Sequence, residues 1–256
     1  VIQEALSWLS PLAGGVNGLL VALSALTSGL SAAVGIGGGS LLIMVMAQVM
    51  PATALIPVHG MVQLGSNGGR AMMTWRHIDV RLLLAFLPGV VLGALAAAWL
   101  LVRLPPGVLE LCIASFVLFS CWGPGWPRGW LGRGGTLLAG ALTTLLSSLV
   151  GATGPLVAAV IKQHFSERLP RVATFAACMT AQHLTKAFVF GVAGFVFREW
   201  LGLMLAMVVA GILGTWLGLR LLRRLSDTHF DALFKWVLTL LALRLAWLGV
   251  ARLTAG

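Results

Sequence analysis

The stretch SAAVGIGGGSLLIMVM, Ser31 to Met46, puts glycine at four of the five positions from Gly35 to Gly39 in an otherwise apolar run. Each glycine costs about 1 kcal/mol relative to alanine in a helix interior, so the run does not continue as one stable helix. Nor can it face lipid. A bilayer offers no water to freed backbone groups, and irregular backbone survives at that depth only inside protein or along a cavity. The sequence therefore predicts a broken helix. One helix ends near Val34 and a short second one starts near Ser40, with its free N–H groups and positive dipole end turned toward the middle of the protein. Such an end attracts anions, and glycine lets the backbone approach a ligand with no Cβ in the way. Close helix packing through small residues is the competing explanation.

The rest of the chain supplies the bilayer. Of its 256 residues, 59% are hydrophobic and only 9% are charged, where a soluble domain carries roughly a quarter charged. The mean hydropathy is +0.99. Leu12–Val34, Leu82–Val102, Val172–Phe197 and Leu201–Leu222 reach or approach the ~20 residues that span a hydrocarbon core. The fold class read from this is an all-α polytopic membrane protein. The first run is taken as a span and not a cleaved leader, because Glu4 is the only early charge and a leader needs a basic start. The net charge of +10 comes from single basic residues between apolar runs, the pattern of cytoplasmic loops and not of a nucleic-acid surface. Cys112, Cys121 and Cys178 are odd in number and sit in or at the ends of apolar helices, which argues against a disulfide framework. The sequence has no P-loop and no metal-spaced His/Cys cluster.

The glycine run has a counterpart. Shifted by 116 residues, ALTSGLSAAVGIGGGS (Ala25–Ser40) falls on ALTTLLSSLVGATGPL (Ala141–Leu156) with eight of 16 positions identical, Gly35 on Gly151 and Gly38 on Gly154 among them. The same shift sets Asn67 on His183 and Arg70 on Lys186, and a shift of 121 lays Val90–Glu110 on Gly211–Asp231. The chain thus reads as two repeats of five helical segments, residues 1–122 and 136–256, joined by a Gly-, Pro- and Trp-rich linker at 123–135. In the second break, GATGP (Gly151–Pro155), Pro155 suits the first turn of a new helix and Thr153 adds a hydroxyl donor. Paired broken helices at matching positions of two halves point to a transporter binding site.

Topology turns on the short second segment of each half. If it crosses, each half has five crossings and the halves are inverted. Eleven basic residues, Arg76, Arg81, Lys162 and Arg171 among them, then share one side, against Arg103, Arg198 and Arg252 on the other. If it returns, each half has four crossings, the halves are parallel and the split is eight against six. The positive-inside rule favours inverted halves with both termini outside the cytoplasm. Leu41–Met50 is short for a span, roughly 15 Å by helical rise, and reads as a half-helix.

The third segments carry the remaining polar groups. His59, Gln63, Asn67 and Arg70, spaced four, four and three apart, share one helix face. Thr174, Cys178, Gln182 and Lys186 recur every fourth residue, with His183 alongside. Such residues are costly at membrane depth and usually face a pathway. Each has a plainer reading. Arg70, six residues before Arg76, can snorkel to the interface, whereas Lys186 lies more than ten residues from either end of its segment. The histidines can be satisfied packing groups, and Gln63 and Gln182 interhelical glue. No Asp or Glu is expected in the bundle core, with Glu110 near a helix end and the others in or beside loops. Cations, amides and helix N-termini without acids suit an anion. The candidate binding residues are Gly35, Gly37, Gly38, Gly39 and Ser40 of the first break and Gly151, Thr153 and Gly154 of the second. To these the stripes add His59, Gln63, Asn67, Arg70, Gln182, His183 and Lys186.

Three features now carry a resemblance: GIGGGSLLIMVM after a first apolar helix, its degenerate partner LVGATGPLVAAV, and the loop WRHIDVR after the third segment. On these the chain resembles, over essentially its whole length, the TauE/SafE family of sulfite and organosulfonate exporters of bacterial inner membranes. It departs from the family pattern at Met44-Val45-Met46, where a proline is usual, and at GATGP, which replaces a second full glycine cluster. The resemblance implies export of sulfite, a sulfonate or a related small sulfur-containing anion, without a cofactor. The partners it implies are a small anionic substrate and the lipid bilayer, with no nucleic acid; a homodimer is left open. Two other readings stand beside it. One is a proton-coupled carrier of another small solute with His59 and His183 as titrating groups. The other is an intramembrane enzyme, against which Cys178 and His183, five residues apart, sit poorly on one helix face.

Overall fold

The structure is a computed structural model that describes residues 6–34, 37–100, 106–124, 132–151, 153–221 and 228–254. Gly35, Arg103, Arg128, Arg223, Arg224 and most of the linker lie outside the described residues. Among the described residues the fold is all-helical, with no strands. The first five helices are α1 (Gly14–Val34), α2 (Gly38–Val49), α3 (Ala52–Met73), α4 (Val80–Leu100) and α5 (Pro106–Trp122). The next five are α6 (Arg133–Val150), α7 (Gly154–Lys162), α8 (Arg168–Val192), α9 (Leu201–Leu221) and α10 (Thr228–Thr254).

Local chemistry sets the breaks. Gly37 caps the start of α2 at φ 106°, a conformation in which a side chain would be strained. Pro51 then ends α2 by holding Met50 in an extended conformation, φ −107° and ψ 152°. In the second half, Gly151 closes α6 in the left-handed region at φ 76°, its N–H bonded to the Ser147 carbonyl. Pro155 occupies the first turn of α7, where its missing N–H removes nothing. Asp79 caps α4, its Oδ1 accepting the Leu82 N–H at 2.9 Å.

Four of these helices are long and apolar enough to cross a membrane: Gly14–Ala33, Val80–Trp99, Phe197–Leu221 (which takes in a short 3-10 turn before α9) and Lys235–Thr254. The expected span Val172–Phe197 is not among them. Its helix, α8, ends at Val192, and its polar stripe lowers its hydropathy, as the stripe on α3 does there. Both helices are sheltered instead. Twelve residues of α3 and twelve of α8 are buried, while α4, α9 and α10 carry most of the large exposed apolar side chains, such as Leu95, Trp99, Leu213 and Trp247. A polar centre with an apolar rim suits lipid solvent.

The helices pair across the halves. Ser24 Oγ on α1 donates to the Met207 carbonyl at 2.7 Å, and further along Gly29 lies against Gly218, so α1 runs parallel to α9. In the same way Gly89 meets Leu137 and Gly93 meets Thr144, so α4 runs parallel to α6. The pairs α3/α8 and α5/α10 run antiparallel. A Cβ on Gly60 would sit 3.1 Å from Lys186 Cδ and one on Gly68 3.8 Å from Thr180 Cγ2, so numbers fall along α8 as they rise along α3. On α5, Glu110 pairs with Arg252 and Trp122 Nε1 donates to Thr239 Oγ1 at 2.9 Å.

Glycine sets how close the α1/α9 pair comes: any Cβ on Gly214 would collide with the Ala25 carbonyl oxygen, the tight small-residue packing of membrane helices. Gly214→Val is therefore expected to keep the two helices from closing. Size-exclusion chromatography in detergent checks this, with loss of the monodisperse species as the expected outcome and a normal profile as the refuting one.

Candidate functional site

At mid-length of α3 and α8 the two helices enclose a small cavity of about 20 Å³, room for about one water. Both glycine breaks reach it. Gly37, Gly39 and Ser40 at the start of α2 line it from one direction, and Gly151 and Gly154 from the other. The side walls are two matched rows, His59, Gln63 and Asn67 on α3, and Phe175, Met179 and His183 on α8. Ser31 of α1 completes the lining.

The imidazoles join these parts. The His59 ring donates from Nε2 to the Gly39 carbonyl at 3.0 Å, tying α3 to the α2 break. It meets the His183 ring edge-on, with centroids 6.1 Å apart. His59 Nδ1 and both His183 nitrogens have no hydrogen-bond partner among the described residues, although His183 is 0% exposed. Buried polar groups are nearly always satisfied, and at the cavity wall these nitrogens are placed to bond a water or another small guest.

Two cations flank the cavity without entering its lining. Lys186, 1% exposed, lays its stem over Gly60, and its Nζ has no partner among the described residues. Arg70, also 1% exposed, donates to Asn67 Oδ1 and to the Ser28 carbonyl, each at 3.4 Å, while its Nε is unpartnered there. Burial at this level replaces the snorkelling alternative for Arg70. Lys186 stays buried although α8 ends at Val192, six residues beyond it, closer than the sequence suggests. The expectation of an acid-free core needs one correction: Glu110 is buried. It belongs to the α5/α10 pair, where Arg252 neutralises it, and among the described residues the cavity lining holds no carboxylate.

The structure thus brings together Gly37, Gly39, Ser40, Gly151, Gly154, His59, Gln63, Asn67 and His183 of the predicted residues. Gly38 is turned onto α1, where a Cβ would collide with the Thr27 carbonyl oxygen. Thr153 is the buried cap residue of α7, outside the lining. Gln182 faces away, its Nε2 donating to Thr143 Oγ1 at 2.7 Å and Thr144 Oγ1 at 3.0 Å. The reason is angular. One residue turns a helix by about 100°, so the row 174, 178, 182 and the row 175, 179, 183 look in different directions. Thr174 confirms this by accepting the Asp79 N–H at 3.0 Å, on the side of α4. Sequence reasoning misses Phe175 and Met179 because they pass for ordinary core residues. The 116-residue shift finds both, since it carries His59 to Phe175 and Gln63 to Met179.

Gln182 therefore acts as a tie between α8 and α6. Gln182→Leu is expected to destabilise the protein by about 0.6–1.7 kcal/mol, the worth of interhelical hydrogen bonds in membranes. Thermal melts in detergent check this; an unchanged melting temperature would contradict the role.

A family model described as "Sulfite exporter TauE/SafE" matches residues 20–245, nearly the whole chain. No curated protein and no solved structure matches it.

Proposed function

The chain belongs to the TauE/SafE sulfite exporter family, and from that premise we propose that it exports sulfite or an organosulfonate through the site between α3 and α8. One observation carries this reading: a buried cavity reached by two helix N-termini, flanked by Lys186 and Arg70, and lined by described residues without any carboxylate. Helix N-termini and unpaired buried cations favour negative charge. Proton and metal-cation pathways usually rely on acids, which this lining lacks. The candidate residues serve in the proposal at two levels. The lining residues contact the anion, while Gly38, Thr153, Arg70, Gln182 and Lys186 shape the breaks, brace the helices or supply charge from behind.

The two halves, residues 1–122 and 136–256, are proposed to be inverted repeats. Support comes from the equivalent helices α3 and α8, and again α5 and α10, which run antiparallel. Equivalent helices of a parallel duplication would share one direction. With α2 and α7 only 12 and nine residues long, roughly 18 and 14 Å by rise, the breaks deliver their N-termini to mid-depth, as in other repeat-built carriers. The basic loops at Arg76, Arg81, Lys162 and Arg171 then face the cytoplasm of a bacterial inner membrane. In intact cells the single variants Arg76→Cys and Lys162→Cys are expected to be protected from a membrane-impermeant thiol reagent, and Arg198→Cys to react. Labelling of one of Arg76→Cys and Lys162→Cys with protection of the other would overturn the inverted arrangement.

Transport itself is tested in proteoliposomes. Saturable flux of sulfite or a sulfonate is expected, well above that of chloride or phosphate. A protein that moves neither sulfur anion would refute the proposal. A second reading, co-transport of a proton on the imidazoles, is favoured by the contact of His59 with His183; lumenal pH recorded during the same flux tests it.

A further inference from the structure

The cavity is built on matched positions but its two sides are not chemically alike. The 116-residue shift carries Gly39 to Pro155, Ser40 to Leu156, His59 to Phe175 and Gln63 to Met179. All four changes run in one direction, from a group with a polar hydrogen to one without. The α2 end offers backbone N–H groups and the Ser40 hydroxyl. The α7 end has lost the N–H at Pro155 and the hydroxyl at Leu156, both outside the cavity lining, and the hydroxyl that Thr153 brings in place of Gly37 lies outside the lining as well. On the side walls, an imidazole and an amide on α3 face an aromatic ring and a thioether on α8, and all four line the cavity. Two pairs keep polar character in both halves, Asn67 with His183 and Ser31 with Ser147.

A symmetric oxyanion such as sulfite has no use for such a lining, because burying oxygens against Phe175 and Met179 desolvates them without a hydrogen bond in return. We infer that the preferred substrate is a small anion with one charged and one apolar end, of the short alkanesulfonate type. Its charged head sits on the α2 N-terminus, Ser40 and His59, and its carbon chain lies against Phe175 and Met179. This rests on the proposed transport of sulfur-containing anions by the same site. Two observations beyond the helix end point to the head position. The His183 imidazole and the His59 Nδ1 are buried at the wall and unpartnered among the described residues, and the Lys186 stem reaches across Gly60 beside His59. The cavity of about 20 Å³ must open for any such anion. Met179 and Gln63, unbranched and flexible, are the side chains able to swing, and a thioether adapts readily to different apolar shapes.

The test is uptake into proteoliposomes, comparing sulfite with methane-, ethane- and propanesulfonate for the wild-type protein and for Phe175→His/Met179→Gln. That double variant gives the α8 wall the polarity of the α3 wall. For wild type, apparent affinity is expected to rise about three- to fourfold per methylene, the value of burying one CH₂, until the chain outgrows the site. The double variant is expected to lose this gradient and to favour sulfite. Equal handling of sulfite and all three sulfonates by wild type would overturn the inference while leaving sulfur-anion transport in place. Absence of flux for all four would overturn transport itself. The wild-type series decides the matter even where the double variant fails to fold.

Discussion

Gly38→Ala is expected to abolish transport and to destabilise the protein by about 1–3 kcal/mol or more, the range for overpacking a filled interior. The added methyl would collide with the Thr27 carbonyl oxygen and crowd Ser31 Oγ. The first of these is backbone, which cannot rotate aside. Retreat of α1 is no remedy, because α1 is pressed against α9 through Gly29, Gly214 and Gly218. The strain must then move α2, and α2 carries Gly39, whose carbonyl receives the His59 bond. A shift at Gly38 therefore displaces the cavity-facing end of α2 and the histidine together. Gly134→Ala makes the control, since nothing lies within 4 Å of a Cβ there; it is expected to leave both melting temperature and flux near wild type. Wild-type flux and melting in Gly38→Ala would show that the first break is not held by this contact.

The breaks are legible from the sequence because a bilayer makes them so. A glycine cluster in a soluble domain can be a loop of any kind, but at membrane depth its freed backbone must line something internal. The ten segments are legible for a related reason, since Pro51, Gly151 and Pro155 each act on their own helix and need no distant partner. Direction and angle lie beyond that reach. Whether α3 and α8 pass parallel or antiparallel is decided by the contacts of Gly60 with Lys186 and Gly68 with Thr180, which no local pattern encodes. The stripe on α8 reads one position off for a similar reason. Thr174, Cys178 and Gln182 keep helical spacing as faithfully as Phe175, Met179 and His183 do, and polarity favours the first row. Packing selects the second, because Thr143 and Thr144 of α6 claim Gln182. A polar residue inside a membrane bundle marks a need for a partner, and that partner is as readily another helix as a substrate. The 116-residue shift is the better guide: imposed on His59 and Gln63, it points to Phe175 and Met179 whatever their polarity.

Lys186→Met is expected to raise stability while removing transport, and the opposite signs are what make it informative. The amine of Lys186 is 1% exposed with no hydrogen-bond partner among the described residues. An ammonium group taken out of water without a counter-ion is penalised by several kcal/mol, so a group of similar length and no charge relieves the fold of that cost. A residue kept for packing alone would gain from the change and lose nothing. Under the proposed function Lys186 supplies the charge behind the His183 wall, and its loss should lower anion flux at least about tenfold, the effect of roughly 1.4 kcal/mol in binding. The two effects meet in a third measurement. A ligand that binds only the folded state stabilises it by about 2.7 kcal/mol at one hundred times its Kd, so sulfite or ethanesulfonate should raise the wild-type melting temperature in detergent. In Lys186→Met the starting temperature should be higher and the anion-induced rise absent. A variant that melts higher yet keeps both the rise and the flux would make Lys186 a dispensable buried charge and would move the anion's counter-charge to Arg70. Arg70→Met would then be the change that removes both.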